Sequence, residues 1–478
     1  MRRRSNSEAA DAPAKEQLLE LAAEELDDAG LGDARLDSRL VEILAARMSR
    51  SDASIPQSCG DWASTKAAYR FFSNDTVKPE AILSRHRRST LERARGRPVL
   101  LVLCDTSMLD FTGQEETTGL GPLSDRENRG FLIHPALVVT PDRVALGLYD
   151  NYVWVRKDAD HGKRVERCKK RLIGQKESKK WLESINAAEA LQADLKDDET
   201  LVVSVFDREG DIFDVLSKAA DPTTKSRLLI RAIHNRQVDE PEKKLWDFMK
   251  SQPVVGKFQI TVPRKSGVRK RTAILSMRFA EVTLQVPPKR PKDAPPAGPI
   301  RVTAVLAEEE NPPNGVEPIS WRLLTTVAVS SEADARKIVD WYCCRWMIEL
   351  FFKTLKSGCR IEDRQLETFD RLQRCLAVDA IVAWMVLYLM TTARESPDIP
   401  CTAMFEDHEW KSVWHFVHKS RNLPEIPPTL MEMTRMIGRL GGHLGRKGDG
   451  PPGMMTLWRG LQRAHDIAEG WLLSKRFG

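Results

Sequence analysis

Three acidic residues stand where an acid is costly. Asp105 closes the apolar run PVLLVLC, Asp207 closes LVVSVF, and Glu349 interrupts the apolar, aromatic stretch WYCCRWMIELFFKTLKSG, residues 341–358. A carboxylate in or just after a buried element costs free energy unless it is paired or ligates a cation. Taken alone, either Asp also reads as an ordinary strand-end cap or turn residue. Taken together, two strands and a helix can present three carboxylates to hard divalent cations, which bind through oxygen. Mg²⁺ or Mn²⁺ keeps water and accepts phosphate oxygens, which suits phosphodiester chemistry.

The polar residues around Glu349 fit that chemistry. A helix advances about 100° per residue, so Tyr342, Arg345, Glu349 and Lys356 share a sector of roughly 60°. The apolar residues Ile348, Leu350, Phe351, Phe352 and Leu355 cover most of the remaining surface. Such a helix is expected to be buried, with its polar stripe facing something polar. The bland alternative is an i,i+4 Arg345–Glu349 ion pair on a solvated face.

The elements that must hold these groups are legible in outline. Residues from about 14 to 95 read as helical, with Asp33 a possible cap for ARLDSRLVEILAARM. PVLLVLCDTSML reads as a buried strand, followed by a polar Gly-rich connection and the strands FLIHPALVVT and RVALGLYDNYVWVR. KESKKWLESINAAEALQADL is helical, LVVSVFD a strand, DIFDVLSKAA a short helix and RLLIRAI a strand. This order predicts a mixed α/β sheet. From about 250 to 330 the strands KFQITVP, RTAILSMRF, EVTLQV, IRVTAVLAEE and SWRLLTTVAV form a β-rich insertion. Helices return at Glu332 and run through LQRCLAVDAIVAWMVLYLMTTA into a helical, irregular tail.

The chain has 478 residues, 41% of them hydrophobic and 30% charged, as an ordinary globular protein of several domains does. No uninterrupted apolar run approaches the roughly 18 residues that span a bilayer, and the N-terminus has no apolar signal region. The net charge of +6 is unevenly spread. The segment from Glu16 to Asp28 is acidic, while Lys157–Lys180 and Arg264–Lys292 are basic, either as solvated faces or as patches for a polyanion. Eight scattered cysteines show no metal-binding spacing and fit reduced thiols in the cytoplasm.

The motifs LCDTSMLDFTG around Asp105, FDREGDIFDVL around Asp207 and Y-x2-R-x3-E-x6-K from Tyr342 to Lys356 resemble those of the IS4 family of DDE transposases, the Tn5-like group. LGDARLDSRL, AAYRFFSN, KESKKWL and AVLAEEENPPNGVEPISWRLLT support the likeness, which spans roughly residues 31–366. The resemblance implies an RNase H-like mixed-sheet core with a β-rich insertion, flanked by helical N- and C-terminal domains. The implied organisation is a disordered leader (1–15), a helical domain that reads transposon-end DNA (16–90), a catalytic domain (91–375, insertion about 250–330) and a helical dimerisation domain (376–478).

The resemblance further implies that Asp105, Asp207 and Glu349 are catalytic and hold two Mg²⁺ (or Mn²⁺) ions once DNA is bound. It makes Tyr342, Arg345 and Lys356 phosphate-binding residues and Trp321 the cover for a flipped base, unless Trp321 is simply a core residue of the insertion. Arg70 matches a DNA-contacting position, and Lys353 and Arg231 can also reach phosphate. The implied activity is cut-and-paste transposition of an insertion sequence through a DNA hairpin. Its partners are end DNA, target DNA and a second copy of the chain, in the cytoplasm at the nucleoid. A metal-dependent nuclease without strand transfer, or an inactive DNA-binding relative, is the alternative.

Overall fold

A computed structural model describes residues 12–26, 30–158, 171–196, 199–241, 244–262, 271–446 and 448–477. The expected leader lies largely outside these residues, as do much of the basic stretch 157–180 and the start of the stretch 264–292. Five helices open the chain: α1 (Ala12–Leu26), α2 (Ala34–Ser49), α3 (Ile55–Cys59), α4 (Trp62–Phe72) and α5 (Pro79–Ala94). Asp33 does cap α2: its carboxylate accepts from the Arg35 amide at 2.9 Å.

Among the described residues the sheet has eleven strands. They are β1 (Val99–Cys104), β2 (Ser107–Asp110), β3 (Gly121–Pro122), β4 (Arg129–Val139), β5 (Ala145–Trp154), β6 (Leu201–Phe206), β7 (Arg227–Arg231), β8 (Gly256–Val262), β9 (Arg271–Leu284), β10 (Ile300–Glu309) and β11 (Ser320–Thr325). β1 runs parallel to β6 and β6 parallel to β7, while β4 pairs antiparallel with β1 and β5. That is an RNase H-like core. The insertion does not stand apart from it. β11 pairs antiparallel with β7, and β10, β9 and β8 continue the same sheet. Helices α6 (Lys179–Leu195), α7 (Phe213–Ala219) and α8 (Leu245–Ser251) come from the connections.

Strand periodicity decides which face each residue serves. Leu101 and Leu103 of β1, with Val203 and Val205 of β6, belong to one buried cluster, which also takes in the N-terminal helices and the later helices. Leu100, Val102, Val202 and Phe206 belong to the other, beneath α6, α7 and α8. Continued by two residues, the first parity points Asp105 and Asp207 toward the face that carries α9 (Glu332–Cys343) and α10 (Trp346–Lys353).

Four expectations about elements need correction. The stretch 341–358 is not one regular helix. At Cys344 and Arg345 the amides bond three residues back, to Trp341 and Tyr342, and Thr354–Gly358 forms a wide π-type turn. The stretch Pro98–Leu109 is two strands, broken at Asp105 and Thr106. RTAILSMRF and EVTLQV are one strand, β9, in unbroken register with β10 from Leu275 to Leu284, because no Gly or Pro punctuates FAEV. β11 ends at Thr325, where the Thr325 hydroxyl donates to the Leu228 carbonyl at 2.7 Å and accepts from the Val327 amide at 3.0 Å.

Helix α11 (Phe369–Glu395) is 27 residues long. A window within it is apolar enough to cross a bilayer, with mean hydropathy 1.8, yet 83% of that window is buried inside the protein. Scattered polar residues interrupt its apolar run. One of them, Asp379, is fully buried between Arg47 of α2 and Arg364, whose Nε atoms each donate to it at 2.9 Å. Both guanidiniums also donate to the Ser51 and Ala53 carbonyls. The helices α12 (Asp407–His418), α13 (Leu430–Leu440) and α14 (Met454–Phe477) complete the chain.

Candidate active site

The parallel register of β1 and β6 sets Leu103 opposite Val205. Two residues on, Asp105 and Asp207 leave neighbouring strands side by side, at a strand spacing of about 4.8 Å. Each also serves locally. Asp105 Oδ1 accepts from the Thr106 amide at 2.7 Å, and Asp207 Oδ1 accepts from the Glu209 amide at 2.9 Å. The next strand extends the row: β6 pairs with β7 so that Phe206 faces Ile230, which brings Arg231 beside Asp207. Arg231 donates through Nη2 to the Ser320 carbonyl at 3.1 Å. On β11, Leu323 faces Arg231, and Trp321 lies two residues further out, half-buried.

Glu349 approaches on α10. Arg345, at the head of that helix, bridges the acids: its Nη1 lies 2.7 Å from Asp105 Oδ2 and 3.4 Å from Glu349 Oε1. The i,i+4 pair therefore exists, but it is not a solvated surface pair, since the Arg345 and Asp105 side chains are only 18% and 15% exposed. Tyr342 is buried and interacts with the Arg345 charge. Lys353 is exposed. The π-type turn points Lys356 toward β2, where it pairs with Glu362 at 3.2 Å and donates to the Met108 carbonyl. Arg70 lies on a different element, exposed on α4.

Among the described residues, no three His, Cys, Asp or Glu side chains stand close enough to hold one ion together. Asp105 and Asp207 are close enough for their charges to interact, and Arg345 links Asp105 to Glu349. The donor set nevertheless suits a hard divalent cation: carboxylate oxygens, with two acids adjacent along a sheet edge. Burial, then the neighbouring Asp207 charge, push the Asp105 carboxyl up to about 6, against the pull of the Thr106 amide and Arg345.

The sign of that shift gives a prediction. A carboxyl raised on folding favours the fold below its unfolded pKa, and the benefit is lost as pH rises through 6. For a shift of about two pH units the loss is ~3 kcal/mol at most. Metal-free Asp105→Asn is therefore expected to unfold at higher temperature than the parent at pH 8 and to show no such advantage at pH 4. Thermal unfolding in a chelator checks this.

Two supporting groups were not foreseen. His134 of β4 is buried, and burial lowers its pKa to about 3, so the ring is neutral. The Ser184 hydroxyl lies 3.0 Å from the Lys180 carbonyl and 2.8 Å from His134 Nε2. Nδ1 lies 3.0 Å from the Thr106 hydroxyl, which pins the residue after Asp105. The signal was a lone His inside the apolar run FLIHPALVV. Lys180, the last residue of the basic stretch 157–180, is buried and pairs with Glu209 at 3.0 Å.

Comparison with known families returns three matches along the chain. Residues 20–77 match the transposase DNA-binding family, 163–385 the transposase DDE domain and 381–477 the Tn5 transposase dimerisation domain. Asp207 and Glu349 fall within the DDE match; Asp105 precedes it and owes its place to the β1–β6 register. Among solved structures, the chain is similar to the piggyBac transposase in a cryo-EM synaptic complex with hairpin DNA. That likeness has 9% identity over 82% of this chain and 78% of that one, with a TM-score of 0.34, too low to bear on the argument.

The sheet and the matched segments together define a DDE transposase, an enzyme class that acts on DNA and generally uses divalent metal. A transposase DNA-binding segment, a DDE domain and a Tn5-type dimerisation domain in one chain together place it in the Tn5-like IS4 family. It is an insertion-sequence transposase with DNA-binding and dimerisation segments.

Proposed function

We propose that this transposase works by cut-and-paste, cleaving transposon ends in a Mg²⁺-dependent reaction through a DNA hairpin and joining the freed ends to target DNA. The observation that carries the reading is that Asp105 and Asp207 each lie two residues beyond the paired Leu103 and Val205, at the carboxyl ends of neighbouring strands, on the face toward the helix of Glu349. Asp105, Asp207 and Glu349 would hold two Mg²⁺ or Mn²⁺ ions, which when bound supply Lewis-acid stabilisation to the attacking and leaving oxygens. The remaining work falls to the chain's own side chains. Arg345, Lys353 and Lys356 offer cationic donors to backbone phosphates, with Tyr342 beside Arg345. Carried on or next to the helix of Glu349, these donors fix the scissile bond relative to the acids, which is how positioning lowers a barrier. Arg231 extends the row of donors along the edge, and the half-buried indole of Trp321 offers a face to an unstacked base.

In this reading the N-terminal helices, residues 16–90 with Arg70 exposed on α4, recognise the end sequence. The segment 376–478 pairs two protomers in a synaptic complex. Phosphodiester exchange is nearly isoenergetic, so no nucleotide cofactor is required, and a DNA substrate puts the enzyme in the cytoplasm at the nucleoid. The test is incubation of the full chain with Mg²⁺, a duplex carrying the element's own terminal sequence and a supercoiled target plasmid. Hairpin-ended donor and plasmid joined to transposon ends are expected. Cleavage with no joined product favours a nuclease, and binding without cleavage an inactive relative.

A further inference from the structure

Arg345 stands where incoming cations have to compete with it. Its Nη1 lies 2.7 Å from Asp105 Oδ2 and 3.4 Å from Glu349 Oε1, while the other Asp105 oxygen accepts from the Thr106 amide. Both oxygens of Asp105 are thus engaged. The three side chains are 18%, 15% and 40% exposed, so solvent screens this bridge only in part. The tightened turn at Cys344 and Arg345 keeps the guanidinium at the head of α10, beside Tyr342. A divalent ion added next to an unmoved guanidinium meets like charge and finds both Asp105 oxygens already engaged.

Resting on the proposed roles of the three acids, we propose that Arg345 is an internal competitor for the metal ions and that a DNA phosphate releases it. Metal loading and DNA binding are then coupled. A phosphate that draws Arg345 away uncovers Asp105 and Glu349, and by linkage the metal strengthens DNA binding by the same factor that DNA strengthens metal binding. Off DNA, the acids are neutralised by the protein itself and the centre stays poorly loaded. This goes beyond phosphate binding, because it gives Arg345 two alternative partners of opposite consequence.

The test is Mn²⁺ binding to the full chain, followed by the paramagnetic resonance signal of free Mn²⁺, with and without a duplex carrying the element's terminal sequence. Without DNA, Arg345→Gln is expected to bind Mn²⁺ at least about tenfold tighter than the parent, within the usual range of coupling. DNA is expected to raise the parent's affinity by a similar factor and to leave Arg345→Gln nearly unchanged. Arg345→Lys, which keeps the charge on a more mobile head, should fall between them and serves if the Gln variant folds poorly. Equal affinity of parent and Arg345→Gln without DNA overturns the proposal. Adding Asp207→Asn should abolish the gain. If it does not, or if no variant binds Mn²⁺ even with DNA, the acids are not the metal site and the underlying reading falls as well.

Discussion

Replacing Asp207 by Asn, or Glu349 by Gln, is expected to lower both DNA cleavage and strand transfer by at least about 10³-fold while leaving metal-free binding of end DNA nearly intact. The amides keep the size of the acids, and an amide oxygen can still accept from the Glu209 amide as Asp207 does, so the turn should survive. What is lost is negative charge on a ligand. A bound metal contributes several kcal/mol to the transition state, and each ~1.4 kcal/mol is tenfold in rate. The DNA-binding donors lie on other residues, so mobility-shift binding should not follow cleavage downward. The measurement is single-turnover cleavage of labelled end DNA beside that binding assay. An Asp207→Asn or Glu349→Gln protein that cuts within tenfold of the parent would remove the residue from the chemistry.

The second large effect concerns stability. Asp379→Ala is expected to destabilise the fold by roughly 3–5 kcal/mol, the usual cost of removing one partner from a buried ion pair. Asp379 is fully buried, and Arg47 and Arg364 beside it are at most 3% exposed. Without the carboxylate, two guanidiniums stay out of water with only carbonyls for partners. Asp379→Asn keeps acceptor capacity without charge and should fall between Ala and the parent. Chemical unfolding followed by tryptophan fluorescence reads the loss, and hydrogen exchange in α2 should rise, since Arg47 ties that helix to α11. A loss below about 1 kcal/mol for Asp379→Ala would show that the pairing does little for the fold.

The contrast between these two sites explains what could be read from the sequence. VLLVLC and LVVSVF announced their strands because continuous apolar runs need two covered faces, and period two then aimed Asp105 and Asp207 the same way. The Glu349 helix announced itself through apolar residues crowding one polar stripe. Hydrogen-bond register carries no such signal, so the tightened turn at Arg345 and the π-type turn at Thr354–Gly358 were invisible. So was the partner of Arg345: the i,i+4 acid Glu349 was in view, whereas Asp105 is 240 residues away. Asp379 failed in the same way, because a charge inside an apolar helix shows nothing of the two arginines that justify it. His134 and Lys180 left a weak trace, a polar residue out of place in its run.

The family match that carries Asp207 and Glu349 ends at residue 385, and the match for dimerisation begins at 381. Both limits fall inside α11, the buried 27-residue helix that also holds Asp379. Chimeras that exchange tails between transposases at that seam would therefore sever a shared axle, not unplug a module. A splice placed after Ser396, where the helix stops, keeps the axle whole.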